Sequence, residues 1–168
     1  MSELVNELLS FSKAGMREKE IKLQPVRLAE LAQRVVARET DGQVQIEIPA
    51  ELEALAEPDL LTRALANLVR NSLRYAGNAG PVTIKAAKDG DAVVLTVSDE
   101  GPGVPEEKLQ QIFDPFYRLE ASRSSDTGGI GLGLAIVKTC VEACRGTVRA
   151  TNWQPSGLQV EIRLNGSP

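Results

Sequence analysis

Val82-Thr83-Ile84-Lys85-Ala86-Ala87-Lys88-Asp89-Gly90-Asp91-Ala92-Val93-Val94-Leu95-Thr96-Val97-Ser98 reads as two strands, roughly 82–87 and 92–98, folded back on each other. Asp89-Gly90-Asp91 between them is a hairpin signal, because glycine takes the positive φ that a tight turn needs. Further strand patterns lie to either side. Val44, Ile46 and Ile48 alternate with Gln45 and Glu47, a short run covers Leu52 to Ala56, and Thr147–Thr151 and Leu158–Leu164 are extended. Helical spacing marks Leu28, Leu31, Ala32, Val35 and Val36, then Leu61, Leu65, Leu68 and Ser72 after a Pro58-Asp59 start, then Ile130 to Cys144. The hairpins segregate from the helices and a regular βαβ alternation is missing. This predicts a two-layer α+β sandwich, in which a mainly antiparallel mixed sheet of about five strands is covered by three helices.

A chain of 168 residues suffices for one compact domain plus a short appendage. Lys and Arg total 19 against 23 Asp and Glu, a formal charge of -4. That balance disfavours a nucleic-acid partner, whose phosphates call for the opposite sign. Ile130 to Val137, the longest apolar stretch, is far short of the ~20 residues that span a bilayer. Histidine is absent altogether, which removes Ser-His-Asp and Cys-His nucleophiles and imidazole acid–base chemistry. Cys140 and Cys144 share one helical face, and two thiols cannot close a four-ligand zinc site. They read as small buried residues in a reducing compartment.

Met1 to Gly15 carries one apolar stripe of Leu4, Val5, Leu8, Leu9 and Phe11, an amphipathic helix that needs a partner. Residues 16–26 are charged and end in Gln24-Pro25, a linker or short edge strand, so the expected organisation is 1–15, 16–26 and a main domain over 27–168. From Asp99 to Gly129 the chain is punctuated by glycine, with one short helix expected over Glu106 to Phe113. A stretch of this length inside a compact domain is usually a functional loop.

Three clusters could carry chemistry. Asn67, Asn71 and Arg74 project from one side of a helix, with Tyr75 beside them. Amide oxygens are hard ligands suited to Mg²⁺, and an arginine a turn away can meet phosphate. Asp99-Glu100-Gly101-Pro102-Gly103 follows a buried strand, where a carboxylate can accept from an exocyclic amine and glycines admit a flat ligand. Gly128-Gly129-Ile130-Gly131-Leu132-Gly133 runs into a helix N-terminus, whose free N–H groups favour a phosphate. Between the last two lies Phe113-Asp114-Pro115-Phe116-Tyr117-Arg118, an aromatic clamp. Each taken singly has a plainer alternative: a solvated helix face, a strand-to-loop turn, close helix–sheet packing, or core aromatics.

Their order is more specific. Paired asparagines on a helix, then Asp-x-Gly-x-Gly, Phe-x-x-Phe and Gly-x-Gly-x-Gly resemble the N box, first glycine box, F box and second glycine box of bacterial sensor histidine kinases. The match to that family's ATP-binding domain runs over Leu60 to Leu164, and Met1 to Gly15 resembles the second helix of its dimerisation and phosphoacceptor hairpin. The resemblance implies a Bergerat ATP-binding fold with ATP and Mg²⁺ as cofactors. It makes Asn71 the principal metal ligand with Asn67 nearby, and gives Arg74 phosphate contact and Tyr75 a place lining the nucleotide. Asp99 would read the adenine amine, with Gly101 and Gly103 shaping the base pocket. Phe113 and Phe116 would anchor a lid over roughly 117–130, with Arg118 on phosphate. Gly129, Gly131, Leu132 and Gly133 would wrap the triphosphate.

The same resemblance implies partners: the histidine hairpin of a longer homodimeric kinase and a response regulator. It also implies cytoplasmic work, with the longer kinase possibly held in the inner membrane. The phosphorylated histidine would lie on the first helix of the hairpin, upstream of Met1. Related gyrase- and chaperone-type ATPases put a glutamate where Asn67 stands, and a neutral amide cannot act as a general base. A serine kinase of the anti-sigma-factor type, or a nucleotide-binding module without catalysis, shares the expected fold.

Overall fold

The structure, a computed structural model, describes residues 21–76, 78–119 and 131–168, together with Asn6, Leu8, Leu9 and Ser12. Those four N-terminal residues are helical; the rest of the helix expected over 1–15 lies outside the described residues, as does 120–130 of the expected lid.

Strand β1 (Gln24–Arg27) leads straight into helix α1 (Leu28–Glu39), and β2 (Val44–Glu47) and β3 (Glu53–Ala56) follow. Helix α2 (Pro58–Ala76), the hairpin β4 (Val82–Asp89) and β5 (Ala92–Ser98), helix α3 (Gly133–Ala143), β6 (Thr147–Asn152) and β7 (Leu158–Asn165) complete the described elements. Five strands form one sheet in the order β2-β4-β5-β7-β6. Only β2 and β4 run parallel; the other neighbours are antiparallel. The expected mixed sheet under three helices is thus the fold of the described residues. Gln24–Arg27, in the span read as linker or edge strand, pairs antiparallel with β3 in a separate two-stranded sheet.

One face of the sheet is apolar. Ile84, Leu95, Val97, Val160, Ile162 and Leu164 point into the core and meet Leu61, Leu65, Leu68 and Val69 of α2 and Ile136, Val137 and Cys140 of α3. Each such side chain contributes about 1.5–3 kcal/mol by leaving water. The sequence predicts the α2 stripe correctly because alternate faces of this helix differ sharply in polarity. Its start is also defined chemically. Pro58 stands at the first helical position, where no N–H is needed, and the Glu57 carboxylate accepts the Leu60 N–H at 2.7 Å.

Two expectations change. Glu106 to Phe113 is two 3-10 turns, Glu106–Lys108 and Gln111–Phe113, rather than one helix. Pro105 before it and Asp114-Pro115 after it leave too few residues to repay α-helical nucleation, and the backbone closes with bonds such as Lys108 N–H to Pro105 C=O at 2.8 Å. Helix α3 begins at Gly133, not Ile130: Gly131 has φ +83°, outside the right-handed helical region.

Candidate nucleotide site

Helix α2 meets the second glycine cluster at its middle and the first at its C-terminal end. At the middle a Cβ placed on Gly133 would lie 3.7 Å from Asn67 Oδ1, so the Asn67 amide faces the first residue of α3. At the C-terminal end, a Cβ on Gly101 would come within 3.0 Å of Ala76 Cα, so the loop after β5 is pressed onto the last turn of α2. At 1.5 Å per residue, Asn67 and Ala76 are about 13 Å apart along the axis.

The buried Asn67 donates its Nδ2 to the Arg63 carbonyl at 2.8 Å, which fixes the amide and turns the oxygen outward from the helix axis. Asn71 follows one turn later and is half-buried, as is Arg74; Tyr75 is exposed at the C-terminal end. Helix α3 opens with no side-chain cap from Leu132 and no acidic residue in its first turn, so among the described residues no side chain claims its first N–H groups.

Asp99 is 5% exposed. Its Oδ1 accepts the N–H groups of Gly101 at 3.0 Å and Leu158 at 3.2 Å, while Oδ2 accepts no hydrogen bond among the described residues. One carboxylate oxygen is therefore held by the backbone and the other meets no described donor. Gly103, at φ +74°, turns the chain tightly against Asn152, which holds the backbone of Val104 through both ends of its amide.

Of the two aromatics of the clamp, Phe113 is buried, whereas Phe116 is 61% exposed and takes no part in the core of the described residues. What Phe116 supplies is backbone: at φ +66° its N–H donates to the Gly131 carbonyl at 2.9 Å, and any Cβ on Gly131 would collide with Tyr117 O at 2.7 Å. Tyr117 is the partly buried aromatic there, and Arg118 is half-buried. Leu132 is fully buried, so only its main chain can approach a ligand. Gly129 lies outside the described residues. Sequence reasoning overlooked the β6–β7 loop: Trp153 donates its indole N–H to the Asp99 carbonyl at 2.6 Å. A lone tryptophan in a polar turn was the available signal.

Over residues 56–167 the chain matches the family model described as Histidine kinase-, DNA gyrase B-, and HSP90-like ATPase. The chain belongs to that ATPase family. Among curated members it is 42% identical to the sensor histidine kinase CpxA of Escherichia coli K12 over 116 residues, which is 69% of this chain and 25% of CpxA. With the sensor histidine kinase WalK of Bacillus subtilis it shares 29% identity over 172 residues, covering 98% of this chain and 28% of WalK. The chain therefore spans about a quarter of the length of these relatives. Among solved structures it resembles the mycobacterial sensor histidine kinase MprB, with TM-score 0.74, 27% identity and coverage of 88% of this chain and 99% of that one. It also resembles full-length ShkA in complex with AMPPNP, with TM-score 0.76, 29% identity and coverage of 98% and 36%. Within the ATPase family, fold and matched segment are those of the ATP-binding catalytic domain of sensor histidine kinases. No helix among the described residues is long and apolar enough to cross a membrane.

Proposed function

We propose that this domain binds Mg²⁺-ATP along α2 and passes the γ-phosphoryl group to a histidine on the hairpin of a longer kinase, for relay to a response-regulator aspartate. The observation that supports it best is the placement of α2, with the amide of Asn67 at the start of α3 and Ala76 against Gly101. Asp99 Oδ2 would accept from the adenine amine, and Tyr75, Gly101 and Gly103 would border the base. The uncapped start of α3, from Gly131 to Gly133, would hold phosphate oxygens, with Arg74 and Arg118 adding charge.

Mg²⁺ takes hard oxygen donors and keeps most of its waters, so one or two amide oxygens are a fitting protein contribution. Asn71 would supply the principal one and Asn67, whose amide is already oriented by Arg63, a second. When bound, the ion would offset negative charge on the phosphate oxygens. The chain's own work is positioning, which supplies most of the catalysis in phosphoryl transfer. Because neither asparagine can remove a proton from water, transfer is favoured over hydrolysis. The segments 1–15 and 16–26 would be the second hairpin helix and a linker whose last residues, from Gln24, enter β1, the hairpin being the dimer contact in the longer protein. Work in the cytoplasm suits such a domain, with any membrane anchor supplied elsewhere in that protein.

The test is incubation with γ-labelled ATP, with and without a separate hairpin fragment carrying histidine. With no imidazole in its 168 residues, the chain alone should take no acid-labile label, and the fragment should. Acid-labile label on the chain itself, or none on the fragment under conditions where ATP binds, would refute the proposal.

A further inference from the structure

The β6–β7 loop reaches across to the base end of the site and holds it through several separate bonds. Trp153 Nε1–H donates to the Asp99 carbonyl at 2.6 Å, and Ser156 Oγ–H donates to the Gly101 carbonyl. Leu158 N–H donates to Asp99 Oδ1 at 3.2 Å and its carbonyl accepts the Asp99 N–H at 3.0 Å. The loop is itself closed by Trp153 N–H on the Gly157 carbonyl at 3.2 Å. Gly157 lies so close to the Asp99 peptide that a Cβ there would overlap the Asp99 carbonyl oxygen, and its φ of +130° already excludes one. Every polar atom of Asp99 except Oδ2 is thereby committed: its N–H and C=O to this loop, and its Oδ1 to the loop and to Gly101.

We propose that Trp153 is a positioning residue for base selection, and that the loop Trp153–Leu158 aims Asp99 Oδ2 at the nucleobase. The inference rests on the reading of Asp99 given above. An aspartate can rotate about χ1 and χ2, and a carboxylate free to swing would accept equally from water, so base discrimination requires it to be fixed before the ligand arrives. Fixing the peptide on one side through the indole and Oδ1 on the other through two N–H groups leaves a single direction for Oδ2. Trp153 thus acts through Asp99 without touching the base through this bond. Its indole also reports on the site, because it is the chain's only tryptophan.

The experiment measures ATP and GTP competing against a fluorescent ATP analogue, using the full chain, with thermal unfolding followed in parallel. Trp153→Phe keeps an aromatic ring and removes the N–H donor; Ser156→Ala removes only the tie to Gly101; Asp99→Asn is the reference for base reading. Trp153→Phe should weaken ATP about tenfold and leave GTP nearly unchanged, so the preference shrinks. Ser156→Ala should shrink it less. A structural role alone would weaken both nucleotides alike, and that result, or an unaltered preference in both loop variants, overturns the proposal. If Trp153→Phe fails to fold, Ser156→Ala decides by the same criterion. In the unaltered chain ATP should change the indole fluorescence saturably, and no change on saturation counts against the proposal. Should Asp99→Asn retain the ATP preference, the base reading falls and this inference with it. Should Asp99→Asn lose the preference while both loop variants keep it, only the inference falls.

Discussion

Replacing Asp99 by asparagine alters one functional atom and almost nothing else. Oδ1 of Asp99 accepts from Gly101 N–H at 3.0 Å and from Leu158 N–H at 3.2 Å. An asparagine can keep both bonds with its own oxygen, and those two donors also forbid the flipped amide. The NH₂ group must then take the place of Oδ2, turning the acceptor that faces the ligand into a donor. Against the amine of adenine this loses a hydrogen bond to a charged group, about 1.5–3 kcal/mol, and sets two donors against each other. At 1.4 kcal/mol per decade, ATP affinity should fall roughly ten- to hundredfold. GTP, which presents a carbonyl there, should lose less or gain. Calorimetric titration with non-hydrolysable ATP and GTP analogues measures both, and a thermal melt checks that the structural bonds survive. Unchanged ATP affinity in a variant that melts like the parent chain would refute the assignment of Oδ2 to the base.

Asn71→Ala should reduce the Mg²⁺-dependent part of ATP affinity by about tenfold while leaving binding in chelator unaffected; equal losses with and without the ion would argue against a metal role. Leu65→Ala, at a fully buried position of α2, should cost about 2–5 kcal/mol in urea denaturation, and a negligible cost would contradict its place in the core. Burial pushes the Cys140 thiol up to about 12 from an ordinary 9.0, and the Cys144 thiol moves the same way. Below pH 9.0 both folded and unfolded states keep the Cys140 proton; from there to about 12 only the unfolded state gives it up, so stability should fall as pH rises through that window. Cys140→Ala should flatten the high-pH slope of the denaturation midpoint, and an identical slope in that variant would count against buried, neutral thiols.

Much of this was legible in the chain because it depends on periodicity or on local composition. The β4–β5 hairpin announces itself by alternation around Gly90, and the α2 stripe by helical spacing of Leu61, Leu65 and Leu68. Asp99 stands out as a carboxylate closing an apolar strand. What escaped depends on partners distant in sequence. Strand β1, left open as a linker or a short edge strand, shows one buried residue, Val26, among exposed neighbours, and its pairing with β3 decides for the strand. The left-handed backbone by which Phe116 meets Gly131 is likewise a contact between residues apart in sequence. Trp153 acts on a main-chain carbonyl 54 positions away, a relation that no local pattern records.

The way α2 joins Asn67 at its middle to Ala76 at its C-terminal end also restricts how such a chain can vary. A single residue inserted between them would advance the helix by 1.5 Å and turn everything beyond it by about 100°. Asn67 would still face Gly133, but the residue now opposite Gly101 would carry a different side chain, and the Gly101 contact would lose its registration with the Gly133 contact. No compensating shift in the sheet could restore both, because β4 and β5 are locked by their own pairing from Thr83–Ser98 to Asp89–Ala92. Length changes are therefore admissible outside the span from Asn67 to Ala76 and forbidden within it, so this half of α2 fixes the spacing between its Gly133 and Gly101 contacts.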